Sequence, residues 1–158
     1  MSLRARQNQT DFRYLHEFKR DAEDHLDWTS RHETPFISTF ASRQHAVNWA
    51  LDRRESGCGT AVVLKLDTQR LGPIFCVRHL VKHPRLQLYT ELPEHTYRDE
   101  YLVLNEIPST SILCEIDPRD IGRGQVQETY DSDGGDYSDS SDSDDSDMNY
   151  WYGHLKRP

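Results

Sequence analysis

No stretch of this chain approaches the ~18–20 consecutive apolar residues that a membrane-crossing helix needs, so no membrane association is expected. A disulfide scaffold is equally unsupported. The three cysteines, Cys58, Cys76 and Cys114, are odd in number, widely spaced and without a C-x-x-C pair, which points to a reducing compartment. The opening residues, MSLRARQNQTDFRY, lack the apolar core of a secretory leader, and the expected location is cytoplasmic or nuclear. No Gly-rich phosphate loop is present. His79 and His83 share a helical spacing, but Pro84 follows and no third ligand completes a metal set, so no metal is expected. A basic stripe is also missing, which argues against direct nucleic-acid binding.

What is present is divided unevenly. Of the 27 acids in the 158 residues, nine lie in residues 128–147, a stretch with no Lys or Arg. Lys156 and Arg157 follow it, leaving 18 acids against 17 basic residues in 1–127. The net charge of −8 therefore belongs to a C-terminal tail, and the remainder is nearly neutral. After Pro118 the apolar periodicity stops, and Gly134-Gly135 with the Ser/Asp repeats cannot bury enough surface to offset ordering entropy. Residues 119–158 are expected to be a disordered tail. Its serines, Ser138, Ser140, Ser141, Ser143 and Ser146 among them, sit in a context suited to acid-directed kinases. The tail can engage a basic protein partner. The closing MNYWYGHLKRP differs in kind, with three aromatics. It reads either as a docking peptide or as a segment packing on the domain.

Before the tail, the pattern is that of one small α+β domain. Residues 1–11 are polar and read as frayed. FRYLHEF, Phe12 to Phe18, alternates weakly and reads as a first strand; Lys19 to Glu33 reads as a short helix or loop. Thr34 to Phe40 is a β-rich run with Pro35 at its edge. Ser42 has the chemistry of a helix N-cap, and Ala46, Val47, Ala50 and Leu51 mark one face of a helix from Arg43 to Arg54. Gly57 and Gly59 end it. Strands are expected over Thr60–Asp67, Ile74–Leu80, Glu100–Leu104 and Ser111–Ile116. The expectation is a small split antiparallel or mixed sheet with one main helix, supported by a core from about 110 residues.

Two segments resemble a known family. Phe36-Ile37-Ser38-Thr39-Phe40-Ala41-Ser42 runs from strand into helix, as in the arginine-serine-glutamate ADP-ribosyltransferases that include the cholera and heat-labile enterotoxin A chains. Glu100-Tyr101-Leu102-Val103-Leu104-Asn105-Glu106-Ile107-Pro108 is similar to that family's catalytic-glutamate strand and its Ile-Pro turn. His25-Leu26-Asp27-Trp28 and Trp49-Ala50 also resemble a group of fungal domains related to these toxins. The resemblance covers residues 12–118 and implies an ADP-ribosyltransferase-like fold over that span, with NAD as substrate.

By the same resemblance, Glu100 is the catalytic carboxylate. It would stabilise the positive charge that builds on the ribose as the nicotinamide bond breaks. Electrostatic stabilisation of this type is worth on the order of 3–4 kcal/mol per group. Ser38 would hold the Glu100 rotamer, Thr39 matches the next residue of the triplet, and Arg13 is the candidate first-strand arginine for the NAD phosphates. Phe40 stands where the family has its last serine. Arg98 stands where arginine-modifying members carry an acid. Ser109-Thr110-Ser111 repeats the triplet literally, but it follows Pro108 and reads as a turn. Two readings follow: a divergent ADP-ribosyltransferase or NAD glycohydrolase, or a catalytically silent binding module whose acidic tail engages a basic partner.

Overall fold

The structure, a computed structural model, describes residues 2–8, 11–57 and 60–121, together with the backbone of 149–156. Along the chain the elements run β1 (Leu3–Arg4), α1 (Leu15–Leu26), β2 (Phe36–Phe40), α2 (Arg43–Glu55), β3 (Thr60–Asp67), β4 (Ile74–Cys76), α3 (Val77–Lys82), α4 (Glu94–Tyr97), β5 (Glu100–Leu104), β6 (Glu106–Ile107), β7 (Ile112–Ile116) and β8 (Asn149–Lys156). This is an α+β fold with small antiparallel sheets. One sheet has six strands in the order β4-β5-β2-β8-β3-β7, and the other pairs β1 with β6. Among the described residues no helix is long and apolar enough to cross a membrane.

The apolar run of β3 is buried on both faces, and the alternation of a strand explains how. Val62, Leu64 and Leu66 join Ile37, Val103, Leu3 and Ile107 in one core. Ala61 and Val63 meet Ala46, Val47 and Ala50 of α2 on the other face. A third core forms where Phe18, Ala22 and Leu26 of α1 cover Phe36 and Leu102. Gly57 closes α2 with φ +77°, a conformation that costs glycine little. Asn105 takes φ +65° between β5 and β6. There its N–H donates to the Pro35 carbonyl (2.7 Å) and its carbonyl accepts from Ala5 N–H (2.6 Å), which brings β1 beside β6.

Four expectations need correction. Phe12 to Phe18 is not a strand. The chain is helical from Leu15, because Phe18, Ala22 and Leu26 at i, i+4 and i+8 form a buried helix face. The Glu17 carboxylate also accepts from the backbone N–H groups of Arg13 and Tyr14 at the helix start. The described residues thus hold two long helices instead of one. Ile74–Leu80 divides into the three-residue β4 and the helix α3, whose Arg78 and Lys82 both pair with Glu94. Residues 3–4 are not frayed, since Leu3 is buried and pairs with Ile107. Finally, Asn149–Lys156, within the tail expected to be disordered, forms a strand. β8 pairs with β3 at eight positions and meets β2 at Phe40 opposite Trp151. That outcome is the packing alternative for the terminal peptide. The acidic serine run, Cys58 and Gly59 lie outside the described residues. Cys114 is exposed and Cys76 partly buried.

Candidate functional site

Antiparallel pairing of β2 with β5 sets Phe40 opposite Glu100 and Ser38 opposite Leu102. Ser38 and Glu100 are therefore diagonal neighbours on one face of the sheet. Ser38 Oγ donates to Glu100 Oε1 at 2.6 Å, across 62 residues of sequence. Thr39, one residue on, faces the other way. It is fully buried and its Oγ1 donates to the Tyr101 carbonyl at 3.1 Å, so it does not reach the site. Ser109-Thr110-Ser111 is a 3-10 turn, as expected of it.

Around the Ser38–Glu100 pair lies a cleft of about 410 Å³. Helix α1 contributes His25 to its wall, the following loop Trp28, and α2 the i, i+4, i+8 series His45, Trp49 and Arg53. Arg4 and Arg6 line it from the N-terminal segment. The Arg53 guanidinium sits 5.2 Å from the centre of the Trp49 ring, a cation–π distance. Arg13 is not among the lining residues. It is exposed, in the bend before α1, because the strand expected to carry it does not form and the helix begins at Leu15. Sequence reasoning missed Arg4, Arg6, Arg53 and His45. The helical spacing of the α2 series was available as a signal, whereas a two-residue strand in a polar window offers almost none.

A directional hydrogen-bond chain runs into Glu100. His25 Nδ1 lies 2.6 Å from Thr34 Oγ1, and its Nε2 2.9 Å from Ser38 Oγ. Because the Ser38 proton points to Glu100, Ser38 Oγ accepts from His25 Nε2–H. That leaves His25 Nδ1 to accept from the Thr34 hydroxyl, which assigns the tautomer. Burial lowers the His25 imidazole to about 4, so the ring is neutral at physiological pH. Glu100 is 3% exposed. Burial pushes its carboxyl up to about 7; the Ser38 hydrogen bond and then the nearby His45 oppose that rise, while Asp99 adds to it. A carboxyl held near neutrality by burial and specific partners in a cleft is the physical profile of a functional group.

His45 is fixed from several sides. Its Nδ1 is 2.7 Å from Asp99 Oδ1, and its ring lies 4.3 Å from that of Phe40 between centroids. Its backbone N–H donates to Ser42 Oγ (3.2 Å), while Ser42 N–H donates to Asp99 Oδ2 (3.2 Å). Phe40 thus packs against an imidazole and supplies no hydroxyl. Arg98 is exposed and lines an adjoining cleft. Among the described residues, no group of three His, Cys, Asp or Glu side chains could hold a metal ion.

A family model described as a domain of unknown function (DUF7587) matches residues 2–121, a span that takes in β1. No curated protein and no solved structure matches the chain.

Proposed function

The chain belongs to the DUF7587 family, and we propose that its cleft is an NAD-handling site, making the protein a divergent ADP-ribosyltransferase or NAD glycohydrolase. The observation behind the reading is the Ser38–Glu100 hydrogen bond of 2.6 Å in a cleft that arginines also line. Scission of the bond between the nicotinamide nitrogen and C1′ of the ribose leaves positive charge on the sugar. A carboxylate beside the ribose offsets that charge, and it is most effective when its position is set before reaction. Ser38 sets the Glu100 rotamer, and His25 in turn sets Ser38. Arg4, Arg6 and Arg53 replace Arg13 as the guanidinium candidates for the pyrophosphate, a role suited to a planar, permanently charged fork. Trp28 and Trp49 offer aromatic faces for a base or the nicotinamide ring.

Purified full-length protein is expected to release nicotinamide from NAD. Glu100→Ala should lower that rate by about 100–1000-fold, the scale of losing one preorganised electrostatic group. Equal release from both proteins would remove Glu100 from the mechanism. Absence of release from either would favour the second reading, a silent binding module, to which Phe40 and Arg98 at departures from the family pattern lend support.

A further inference from the structure

Of the three histidines that line the cleft, His25, His32 and His45, the two on helices, His25 and His45, differ in one respect that matters chemically. Both ring nitrogens of His25 are engaged, by Thr34 and Ser38. His45 is bound through Nδ1 alone, to Asp99, and among the described residues its Nε2 has no hydrogen-bond partner. With Nδ1–H directed at a carboxylate, the lone pair is on Nε2, and Asp99 would stabilise the imidazolium formed when Nε2 takes a proton. Asp99 is itself held, since its second oxygen accepts the Ser42 N–H.

His45 also stands at a junction. A second cleft of about 430 Å³ adjoins the first and shares Trp28, His45, Trp49 and Thr96 with it. We propose that this second cleft admits an uncharged hydroxyl acceptor, water or an alcohol such as a sugar or side-chain hydroxyl, and that His45 is the base that takes its proton. The proposal rests on the NAD reading above. The acceptor class follows from the wall. Both Asp99 oxygens are engaged, Arg98 faces the same space, and Asp52, the other carboxylate there, is exposed. A guanidinium or ammonium acceptor finds no buried free carboxylate. In the step, the acceptor oxygen bonds to C1′ of the ribose and the C1′–N bond breaks with its electron pair passing to nicotinamide. The acceptor proton moves to His45 Nε2. Asp99 is the positioning residue.

The test uses the full chain, with NAD as donor and water or added methanol as acceptor. Nicotinamide release, methyl ADP-riboside formation and NAD affinity are followed for wild type, His45→Ala, Asp99→Asn and Glu100→Ala. His45→Ala is expected to slow release about 100-fold with NAD affinity changed by no more than about twofold, and added imidazole should restore about tenfold, as for loss of a general base. Asp99→Asn, which keeps the side-chain shape, should slow release in the same sense and respond less to imidazole. Wild-type rates in His45→Ala alongside an impaired Glu100→Ala would overturn the assignment of His45 and leave the NAD site standing. Loss of activity without imidazole rescue would reduce His45 to a structural role. No release from wild type with either acceptor would sink both readings together.

Discussion

Glu100 and His25 lie on either side of Ser38, and burial moves their protonation in opposite directions. The carboxyl rises from its ordinary 4.5 to about 7, and the imidazole falls from 6.5 to about 4. Between pH 4.5 and 7 the folded protein keeps a proton on Glu100 that the unfolded chain releases, so this group makes stability fall as pH rises. Between pH 4 and 6.5 the unfolded chain holds a proton on His25 that the folded protein excludes, so this group makes stability rise with pH. Each slope is at most about 1.4 kcal/mol per pH unit, and the windows overlap, so in the native protein they largely cancel. Glu100→Gln removes one side. Its unfolding free energy in urea should climb from pH 4 to 6.5 and exceed that of wild type at pH 8. A flat profile in the variant would mean that His25 is not held neutral. Ser38 and Glu100 were readable in advance as strand positions, and the resemblance implied that one holds the other; the coupling to His25, in a stretch read as a short helix or loop, was not legible. His25 reaches Ser38 only because α1 lies across that face of the sheet.

At the scale of elements, α2 shows how much a local pattern can specify. Ser42 caps it by accepting the His45 N–H, and Ala46 and Ala50 are fully buried against β3. The remaining face delivers His45, Trp49 and Arg53 to the cleft. Ser42→Ala should cost about 1 kcal/mol, typical of a lost N-cap, read as a lower urea midpoint with unchanged slope. An unaltered midpoint would contradict the cap. Helix α1 was harder to read. FRYLHEF alternates as a strand does, and the helical face becomes visible only when Phe18 is joined to Ala22 and Leu26. Arg13 was lost as a site residue in that misreading, and Arg4 was overlooked because β1 is two residues long.

For the whole molecule the decisive element is β8. It lies between β2 and β3, and β2 and β3 are not paired directly with one another. Without it the sheet separates into β4-β5-β2 on one side and β3-β7 on the other. Removing residues 149–158 also leaves without partners the backbone groups of β3 that face β8, those of alternate residues among its eight paired positions. Net losses near 1 kcal/mol per hydrogen bond then amount to several kcal/mol. A chain ending at residue 148 should melt at least about 10 °C below wild type and associate through the opened edge, as scanning calorimetry and light scattering would report. A melting temperature within about 2 °C of wild type would show that β8 contributes nothing to the sheet.

The sequence by itself determined β2, β3, β5 and α2 nearly to the residue, and also the acidic composition of the segment from 128 to 147. Periodicity and capping are encoded within a few positions of each other, so they can be read locally. Tertiary structure alone decided that Arg4, Arg6 and Arg53, and not Arg13, line the cleft, that His45 leans on Asp99, and that the last residues complete a sheet begun at residue 36. Those outcomes depend on contacts between segments tens of residues apart. Which distant partner a side chain meets is a property of packing, and no local pattern carries it.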